Sequence, residues 1–241
     1  MSPFDRKLLE YLLEYVTPRR QRRFAKVLRQ RTRRITVVLE DFFGSHNIAA
    51  VLRSCDAFGI QDVHVIEDSH EFQLEPVVAL GSQKWLSVHR YTDGPSPGAT
   101  CLAALRQKGY RLLAVTPHAD AQPPEDVDLS EPCALVFGSE KEGLSATAVE
   151  SADGAVRIPM VGFVESLNVS VAAAVCLYPM VNRLRNDIRD WGLTDEEQES
   201  LLLEWVKQTV PHLDALEARF QEEFVEDSAG AIERPPAAVD R

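Results

Sequence analysis

The stretch "ITVVLEDFFGSHNIAAVLRSCDAFGIQDVHVIE", residues 35–67, holds two β-branched runs with a helical pattern between them. Residues 35–40 and 63–67 predict strands, because both are short apolar runs rich in Val and Ile. Between them an apolar residue recurs every three or four positions, which is the spacing of one helix face, and Gly59 ends this pattern. The stretch therefore predicts a strand–helix–strand unit, in which the two strands run parallel.

The same alternation continues along the chain. Further strands are predicted at 111–116, 133–138 and 155–160, and further helices at 99–108, 145–151 and 166–186. Residues 68–97 show no regular pattern, whereas 4–16, 18–31 and 195–226 predict terminal helices. This alternation predicts an α/β fold, with a mainly parallel sheet and helices on both faces.

The charges are divided unevenly along the chain. The net charge is −11, yet residues 1–34 hold eleven Lys and Arg against three acidic residues. Residues 190–241 hold fourteen acidic residues against four basic ones. A basic head on an acidic body indicates a polyanionic partner such as a phosphate backbone, although a solvated helix face remains the alternative.

Several classes of protein are disfavoured by the sequence. It has no apolar run of eighteen residues, no signal-peptide pattern at its start and no CxxC pair among its four cysteines. We therefore expect a cytoplasmic protein with reduced, buried thiols, no membrane span and no metal site. Neither a GxGxxG nor a GxxxxGK[ST] motif is present, so we expect the ligand site at the loops that follow the strands.

Three segments together resemble the SPOUT class of RNA methyltransferases, of the TrmH (SpoU) type that modifies tRNA guanosine at the ribose 2′-hydroxyl. They read "HNIAAVLRSCDAFGIQDVHVI", "LVFGSEKEGLS" and "IPMVGFVESLNVSVAAAVCLY", and the intervening "GSQKW" also matches. Their order and spacing agree with the family, and "SLNVSVAAAV" is the most specific part.

The resemblance implies a fold that the strand pattern does not reveal. It implies a C-terminal deep trefoil knot, S-adenosylmethionine bound in the knot, and a homodimer. The implied division is a basic helical RNA-binding arm at 1–34, a SPOUT methyltransferase domain at 35–190 and an acidic helical extension at 191–227. Residues 228–241 are expected to be a disordered tail.

The resemblance also implies the residues of the cofactor site, which lie in four loops. These residues are Val115, Thr116, Pro117, Phe137, Gly138, Ser139, Ile158, Met160, Ser166 and Leu167. Because the cofactor carries no phosphate groups, this kind of site needs no glycine-rich phosphate loop.

Arg53 is the catalytic residue implied by the resemblance, together with Asn47 six positions earlier. A guanidinium stays protonated in proteins, so we expect Arg53 to anchor a substrate phosphate and stabilise the developing alkoxide rather than act as a base. Glu140, Ser166 and Asn168 are the other implied active-site residues. Capping remains the alternative for Asn47 and Ser166, and a structural role remains the alternative for Glu140.

The expected tRNA-binding surface lies mainly in the basic arm. Its residues are Arg19, Arg20, Arg22, Arg23, Lys26 and Arg29, with Lys84 of "GSQKW" as a further RNA contact. The function implied is methyl transfer to tRNA, by default to the D-loop guanosine at position 18. Two alternatives remain open: a 2′-O-methyltransferase for another tRNA site or ribosomal RNA, and a non-catalytic RNA-binding protein of the same fold.

Overall fold

A computed structural model describes residues 1–42, 45–68, 81–117, 121–139 and 142–232. Within these residues six strands form one sheet: β1 (Ile35–Glu40), β2 (Asp62–Ile66), β3 (Ser87–Tyr91), β4 (Arg111–Val115), β5 (Cys133–Phe137) and β6 (Gly154–Val156). All the pairings are parallel, and the order across the sheet is β3-β2-β1-β5-β4-β6. The predicted α/β class with a mainly parallel sheet is confirmed.

Eight α-helices accompany these strands in the described part of the chain. They are α1 (Pro3–Leu13), α2 (Pro18–Leu28), α3 (Ser45–Phe58), α4 (Pro97–Gln107), α5 (Ala146–Ser151), α6 (Val169–Asp187), α7 (Asp195–Lys207) and α8 (Leu213–Ile232). A short 3₁₀ turn, Ser82–Trp85, precedes β3.

The core lies on both faces of the sheet because β1, β2 and β5 are buried throughout. Helices α3 and α6 pack together on one face, where Leu177 of α6 joins the same core cluster as the strand residues Val37 and Leu135. Helix α4 covers the other face with Cys101, Leu102 and Leu105. Helices on both faces explain why β1 and β5 are nearly continuous apolar runs.

The chain divides into two compact units, which differ from the predicted division. One unit consists of Arg29–Leu193 and contains the whole sheet. The other joins Met1–Leu28 with the segment from Thr194 onward, so the basic arm and the acidic extension fold together. Within this helical unit Phe24 packs against Trp205 with ring centroids 5.7 Å apart, and Arg6 pairs with Glu199 at 3.2 Å.

Three of the eleven basic residues in the predicted arm have structural partners in the sheet unit. Arg31 pairs with Asp56, Arg33 pairs with Asp62 at 2.9 Å, and Arg34 donates to the Leu129 carbonyl at 3.3 Å. The charge excess of residues 1–34 therefore overstates the number of cations that are free for a polyanion.

Several predicted boundaries were wrong for identifiable reasons. Strand β3 lies inside the stretch predicted to be irregular, because it is an edge strand with a polar, half-exposed sequence. Strand β6 ends at Val156 rather than at 160, in keeping with Pro159, which has no N–H to donate. Helix α8 continues to Ile232, into the predicted tail, and residues 233–241 lie outside the described residues.

The four cysteines are free and buried, as predicted. Burial raises the pKa of each thiol to about 12, so they stay protonated near neutral pH. No described helix is long and apolar enough to cross a lipid bilayer.

Candidate functional site

The candidate site lies at the carboxyl edge of the sheet, between β1 and β5. From β1 the strand order proceeds to β2 and β3 on one side, and to β5, β4 and β6 on the other. Parallel sheets bind ligands at such a switch point, because the loops after the two adjacent strands turn to opposite sides and leave a crevice. Here these loops lead from β1 into α3 and from β5 into α5.

Asn168 and Asn47 meet at this edge through their side chains. Asn168 Nδ2 donates to Asn47 Oδ1 at 3.0 Å, although 121 positions separate the two residues. Asn168 Oδ1 accepts from the Ser170 backbone N–H at 2.9 Å and from Ser170 Oγ at 2.6 Å. Asn168 therefore caps α6 and also ties its start to the first turn of α3.

Ser166 does not cap α6, so the expectation of a helix from 166 was wrong. The helix begins at Val169, and Asn168 occupies the N-cap position with its side chain bonded to the Ser170 N–H. The side chain of Ser166 is exposed, in the segment between β6 and α6. Its alternative role as a cap is thereby removed, and its active-site role stays a prediction.

Arg53 projects from the middle of α3 into solvent. Its side chain makes no hydrogen bond or ion pair with the residues that the structure describes, although charged groups lie on the same helix. It lines a groove of about 480 Å³ together with Ser54, Asp56 and, from the 3₁₀ turn, Ser82. Lys84 is exposed on this turn, so "GSQKW" and the Arg53 helix border one surface.

The loop after β5 closes tightly on itself. Ser139 and Gly143 exchange two backbone hydrogen bonds of 3.1 and 3.0 Å, and Ser139 Oγ accepts from the Glu142 N–H at 3.2 Å. A Cβ at Gly138 would lie 2.1 Å from the Gly143 carbonyl carbon, so a side chain cannot fit there. Glu140, one of the predicted active-site residues, lies outside the described residues.

Glu40 anchors the far end of this loop and was missed by the sequence analysis. It is a buried carboxylate at the end of β1, 3% exposed. Its Oε2 accepts from the Ser145 N–H at 2.9 Å and its Oε1 accepts from Ser145 Oγ at 2.7 Å. Ser145 is the N-cap of α5, so Glu40 joins the two sides of the crevice. The sequence offers one signal, an acidic residue that ends an otherwise apolar strand.

Part of the predicted cofactor set lies at the adjacent carboxyl ends of β4, β5 and β6. Val115 is the register partner of both Phe137 and Val156, and the Thr116 N–H donates to the Val156 carbonyl at 3.1 Å. Ile158 packs against the core, while Met160 and Leu167 are half-buried. Pro117 is exposed at the start of the loop after β4.

The predicted tRNA-binding side chains are exposed. Arg19, Arg20, Arg22, Arg23 and Lys26 lie on α2, a helix without an acidic residue, and Arg29 follows it at the start of the sheet unit. The Arg20 guanidinium also lies 5.9 Å from the ring centre of Phe24. Exposed cations of this kind can reach phosphate oxygens.

A family model described as the SpoU rRNA methylase family matches residues 34–178. The chain belongs to this family. A tRNA (guanosine(18)-2′-O)-methyltransferase of Borreliella burgdorferi is 35% identical over 211 residues, which cover 88% of this chain and 95% of that protein. The family predicted from the three segments is thus confirmed.

Two solved structures extend the comparison to the fold. The A. aeolicus TrmH/SpoU tRNA modifying enzyme superposes with a TM-score of 0.70 at 29% identity, covering 80% of this chain and 97% of that one. The SpoU methyltransferase AviRb of Streptomyces viridochromogenes, solved in complex with AdoMet, has a TM-score of 0.54 at 28% identity. That match covers 68% of this chain and 62% of the AviRb chain.

Proposed function

We propose that the protein transfers a methyl group from S-adenosylmethionine to the ribose 2′-hydroxyl of guanosine 18 in tRNA. The observation that carries this proposal is the bond between Asn168 and Asn47 at the switch point of the sheet, on the same helix as an exposed Arg53 that has no ionic partner among the described residues. The relative from Borreliella burgdorferi, which is named for this activity, supports the choice of substrate.

The residues at the strand ends suit a cofactor that has no phosphate group. Val115, Phe137 and Ile158 offer apolar contacts, and the loop 138–145 offers backbone groups held by its own hydrogen bonds. Thr116, Pro117, Gly138, Ser139, Met160, Ser166 and Leu167 complete the proposed set. When bound, S-adenosylmethionine supplies an electrophilic methyl group on a sulfonium.

Arg53 acts on the RNA side of the reaction. In such a transfer the 2′-oxygen would form the new C–O bond as the S–CH₃ bond breaks, the electrons of the broken bond would stay on the sulfur as a neutral thioether, and the hydroxyl proton would pass to water. A protonated guanidinium can hold the adjacent phosphate by two parallel hydrogen bonds and stabilise the negative charge that develops on the oxygen. Asn47 and Asn168 hold the start of α3 and thereby the position of Arg53, and Glu140 is proposed to assist from the loop after β5.

The deep trefoil knot is also part of the proposal. Residues 157–168 connect the edge strand β6 to α6, which packs beside α3 under the centre of the sheet. Threading of this connection past the loop 138–145 would place both segments around one cofactor.

The RNA is proposed to bind through α2 and the 3₁₀ turn. The exposed cations of α2, together with Arg29 and Lys84, would contact phosphates, which supplies affinity without reading sequence. Such a substrate is consistent with the expected cytoplasmic location.

A homodimer is proposed through α6. Val171, Val175 and Tyr178 recur along one face of this helix and are 47%, 40% and 60% exposed. They border an apolar groove of about 660 Å³. A row of large apolar side chains exposed to water indicates a surface that binds another protein. The α6 helix of a second copy carries the same row, so two copies could bury these side chains against each other.

The experiment that tests the activity measures transfer of labelled methyl from S-adenosylmethionine to unmodified RNA. The RNAs are a tRNA transcript with guanosine 18, the same transcript with adenosine 18, and a ribosomal RNA fragment, since the family model is named for rRNA. The modified linkage is mapped by its resistance to alkali. We expect a single alkali-resistant step at guanosine 18.

Two variants accompany this assay. Arg53→Ala should abolish transfer, whereas Arg189→Ala, another exposed arginine of the sheet unit, should leave it unchanged. Label in the ribosomal fragment alone would indicate that the substrate is ribosomal RNA rather than tRNA. Cofactor binding without label in any RNA would favour the non-catalytic RNA-binding alternative.

A further inference from the structure

A buried arginine lies beneath the Arg53 helix. Arg31, just before β1, is 1% exposed and forms an ion pair with Asp56 of α3. Its Nη1 donates to the Ile60 carbonyl at 3.1 Å, beyond the end of the same helix. Burial lowers the pKa of Arg31, and the attraction of Asp56 opposes this lowering, so the carboxylate helps to keep the guanidinium charged.

Asp56 is also a neighbour of Arg53. The two residues are three positions apart on α3, a spacing that brings side chains together on a helix surface, and both line the groove of about 480 Å³. Opposite charges at this spacing ordinarily attract each other. Arg53 nevertheless makes no ion pair within the described part of the chain, whereas the Asp56 carboxylate is turned to Arg31.

The competition for Asp56 favours the buried arginine. An exposed ion pair gains little because water screens both charges. A buried guanidinium that loses its carboxylate keeps an uncompensated charge away from water, which is strongly unfavourable. Asp56 is therefore held by Arg31 more firmly than a solvated Arg53 could hold it.

We propose that Arg31 is a positioning residue that withholds the Asp56 carboxylate from Arg53, so that Arg53 remains free for a substrate phosphate. This inference rests on the proposed function, because it assigns Arg53 to the RNA. Without Arg31, Asp56 would turn to Arg53, neutralise it and add a negative charge where the RNA backbone approaches.

The test compares Arg31→Met, Asp56→Asn and the double variant in the full-length chain. We expect Arg31→Met to lower kcat at least tenfold. Asp56→Asn alone leaves the buried Arg31 charge without its carboxylate and should lower the free energy of unfolding, while the kcat of the folded protein stays within threefold of the parent. The double variant should regain most of the lost activity, because no carboxylate is left to bind Arg53. Arg33→Met, which breaks the pair with Asp62 away from the groove, is the matched control and should stay near the parent value.

A second readout separates this role from a merely structural one. The slope of log Kd for tRNA against log salt reports the number of phosphates neutralised, and loss of one contact changes it by about 0.9. Arg31→Met should lose about one phosphate contact and the double variant should restore it. If Arg31→Met does not fold, Arg31→Gln, which keeps a donor for the Ile60 carbonyl, takes its place with the same expectations.

The outcomes distinguish this inference from the proposed function. A double variant that stays as inactive as the Arg31 single variant would overturn the inference, as would an Arg31 variant with full kcat and an unchanged salt slope. Either result leaves the proposed function intact if the parent transfers methyl and Arg53→Ala does not. A fully active Arg53→Ala would instead overturn the assignment of Arg53 on which both rest.

Discussion

Asn168 Nδ2 donates a hydrogen bond of 3.0 Å to Asn47 Oδ1, and this bond joins the first turns of α6 and α3. The same Asn168 side chain caps α6 through its oxygen. One residue thus serves two helices with different atoms. The amide nitrogen reaches the helix that carries Arg53, and the amide oxygen stabilises the helix that carries the proposed dimer surface.

Replacement of Asn168 by serine should separate these two roles. Serine caps helices about as well as asparagine, so the free energy of unfolding should change by less than about 0.5 kcal/mol. The hydroxyl is too short to replace the amide donor to Asn47, so kcat should fall about tenfold or more. Urea unfolding and steady-state methyl transfer measure the two quantities.

Asn182→Ala, at an exposed position further along α6, is the control for that substitution and should change neither quantity. The link between the two asparagines is measured by a double-mutant cycle of Asn168→Ser with Asn47→Ala on the activation free energy of methyl transfer, where the combined loss should be smaller than the sum of the two because either substitution removes the same bond. Additive effects would contradict the role of the bond.

Arg53→Lys should fail although it keeps the positive charge. Lysine lacks the planar fork that binds two oxygens of a phosphate at once. Loss of one donor to a developing oxyanion lowers kcat by about 10²–10³-fold, and we expect a loss of this size. Single-turnover transfer to tRNA measures it, with the affinity for S-adenosylmethionine unchanged. Near-normal turnover of the lysine variant would remove Arg53 from the chemistry.

Glu40→Gln should weaken cofactor binding more than tRNA binding. The Glu40 carboxylate accepts two hydrogen bonds from Ser145, one from its N–H and one from its hydroxyl, and they anchor the loop 138–145. The glutamine amide has only one oxygen, and its NH₂ group cannot accept, so one of these two hydrogen bonds is lost. We expect about a tenfold rise in the Kd for S-adenosylmethionine by calorimetry, with little change in the Kd for tRNA.

Ser145→Ala removes the other half of this anchor, and Thr147→Ala, exposed on the same turn of α5, is its control. Ser145→Ala should resemble Glu40→Gln in cofactor affinity and also lose about 1 kcal/mol of stability with the cap. Equal loss of tRNA and cofactor affinity in both variants would mean that Glu40 supports the fold in general rather than this loop.

The sheet unit should lose stability in mild acid because of His64. This residue is buried on β2, and its ring stacks on the His89 ring with the two ring centroids 4.6 Å apart. Its Nδ1 lies 3.1 Å from Tyr91 Oη. Burial, together with a smaller effect of the neighbouring His89, lowers the pKa of His64 to about 4. The unfolded chain, with a pKa of about 6.5, binds the proton more readily, so stability is full above this value and falls as pH decreases toward 4.

Urea unfolding at pH 7.5 and pH 5 measures this loss. The His64 contribution should decrease by about 2 kcal/mol between these values. His64→Gln cannot gain the proton, so its loss over the same range should be smaller by about that amount. Equal pH dependence in the two proteins would show that His64 is already charged, or is exposed, in the folded state.

The part of the fold that the sequence predicts best is the β1–α3–β2 unit. Its strands are short runs rich in Val and Ile. Gly59 has a φ of +84°, and a Cβ there would lie 2.2 Å from the Gln30 carbonyl oxygen, which only glycine tolerates. Local pattern and tertiary structure agree there. At the edge strands β3 and β6 the pattern is weak, because one side of each lacks a neighbouring strand.

The site was predictable only in part. Asn47, Arg53 and Asn168 were identified through the resemblance, since no local pattern relates positions 121 residues apart. The pairs Glu40–Ser145 and Arg31–Asp56 escaped prediction because each joins residues that only the folded chain brings together. From the sequence alone, a charged residue beside a strand or on a helix looks the same whether its side chain is buried in an ion pair or exposed to water.

The most direct test of the central claim changes a single atom of the substrate. A tRNA assembled by ligation with 2′-deoxyguanosine at position 18 lacks the acceptor oxygen and keeps the base, the phosphates and the tertiary fold. We predict that this tRNA binds with unchanged affinity and takes up no labelled methyl, whereas the matched ribose tRNA takes up one. Transfer of methyl to the deoxy tRNA would contradict the claim that the protein methylates the 2′-hydroxyl of guanosine 18.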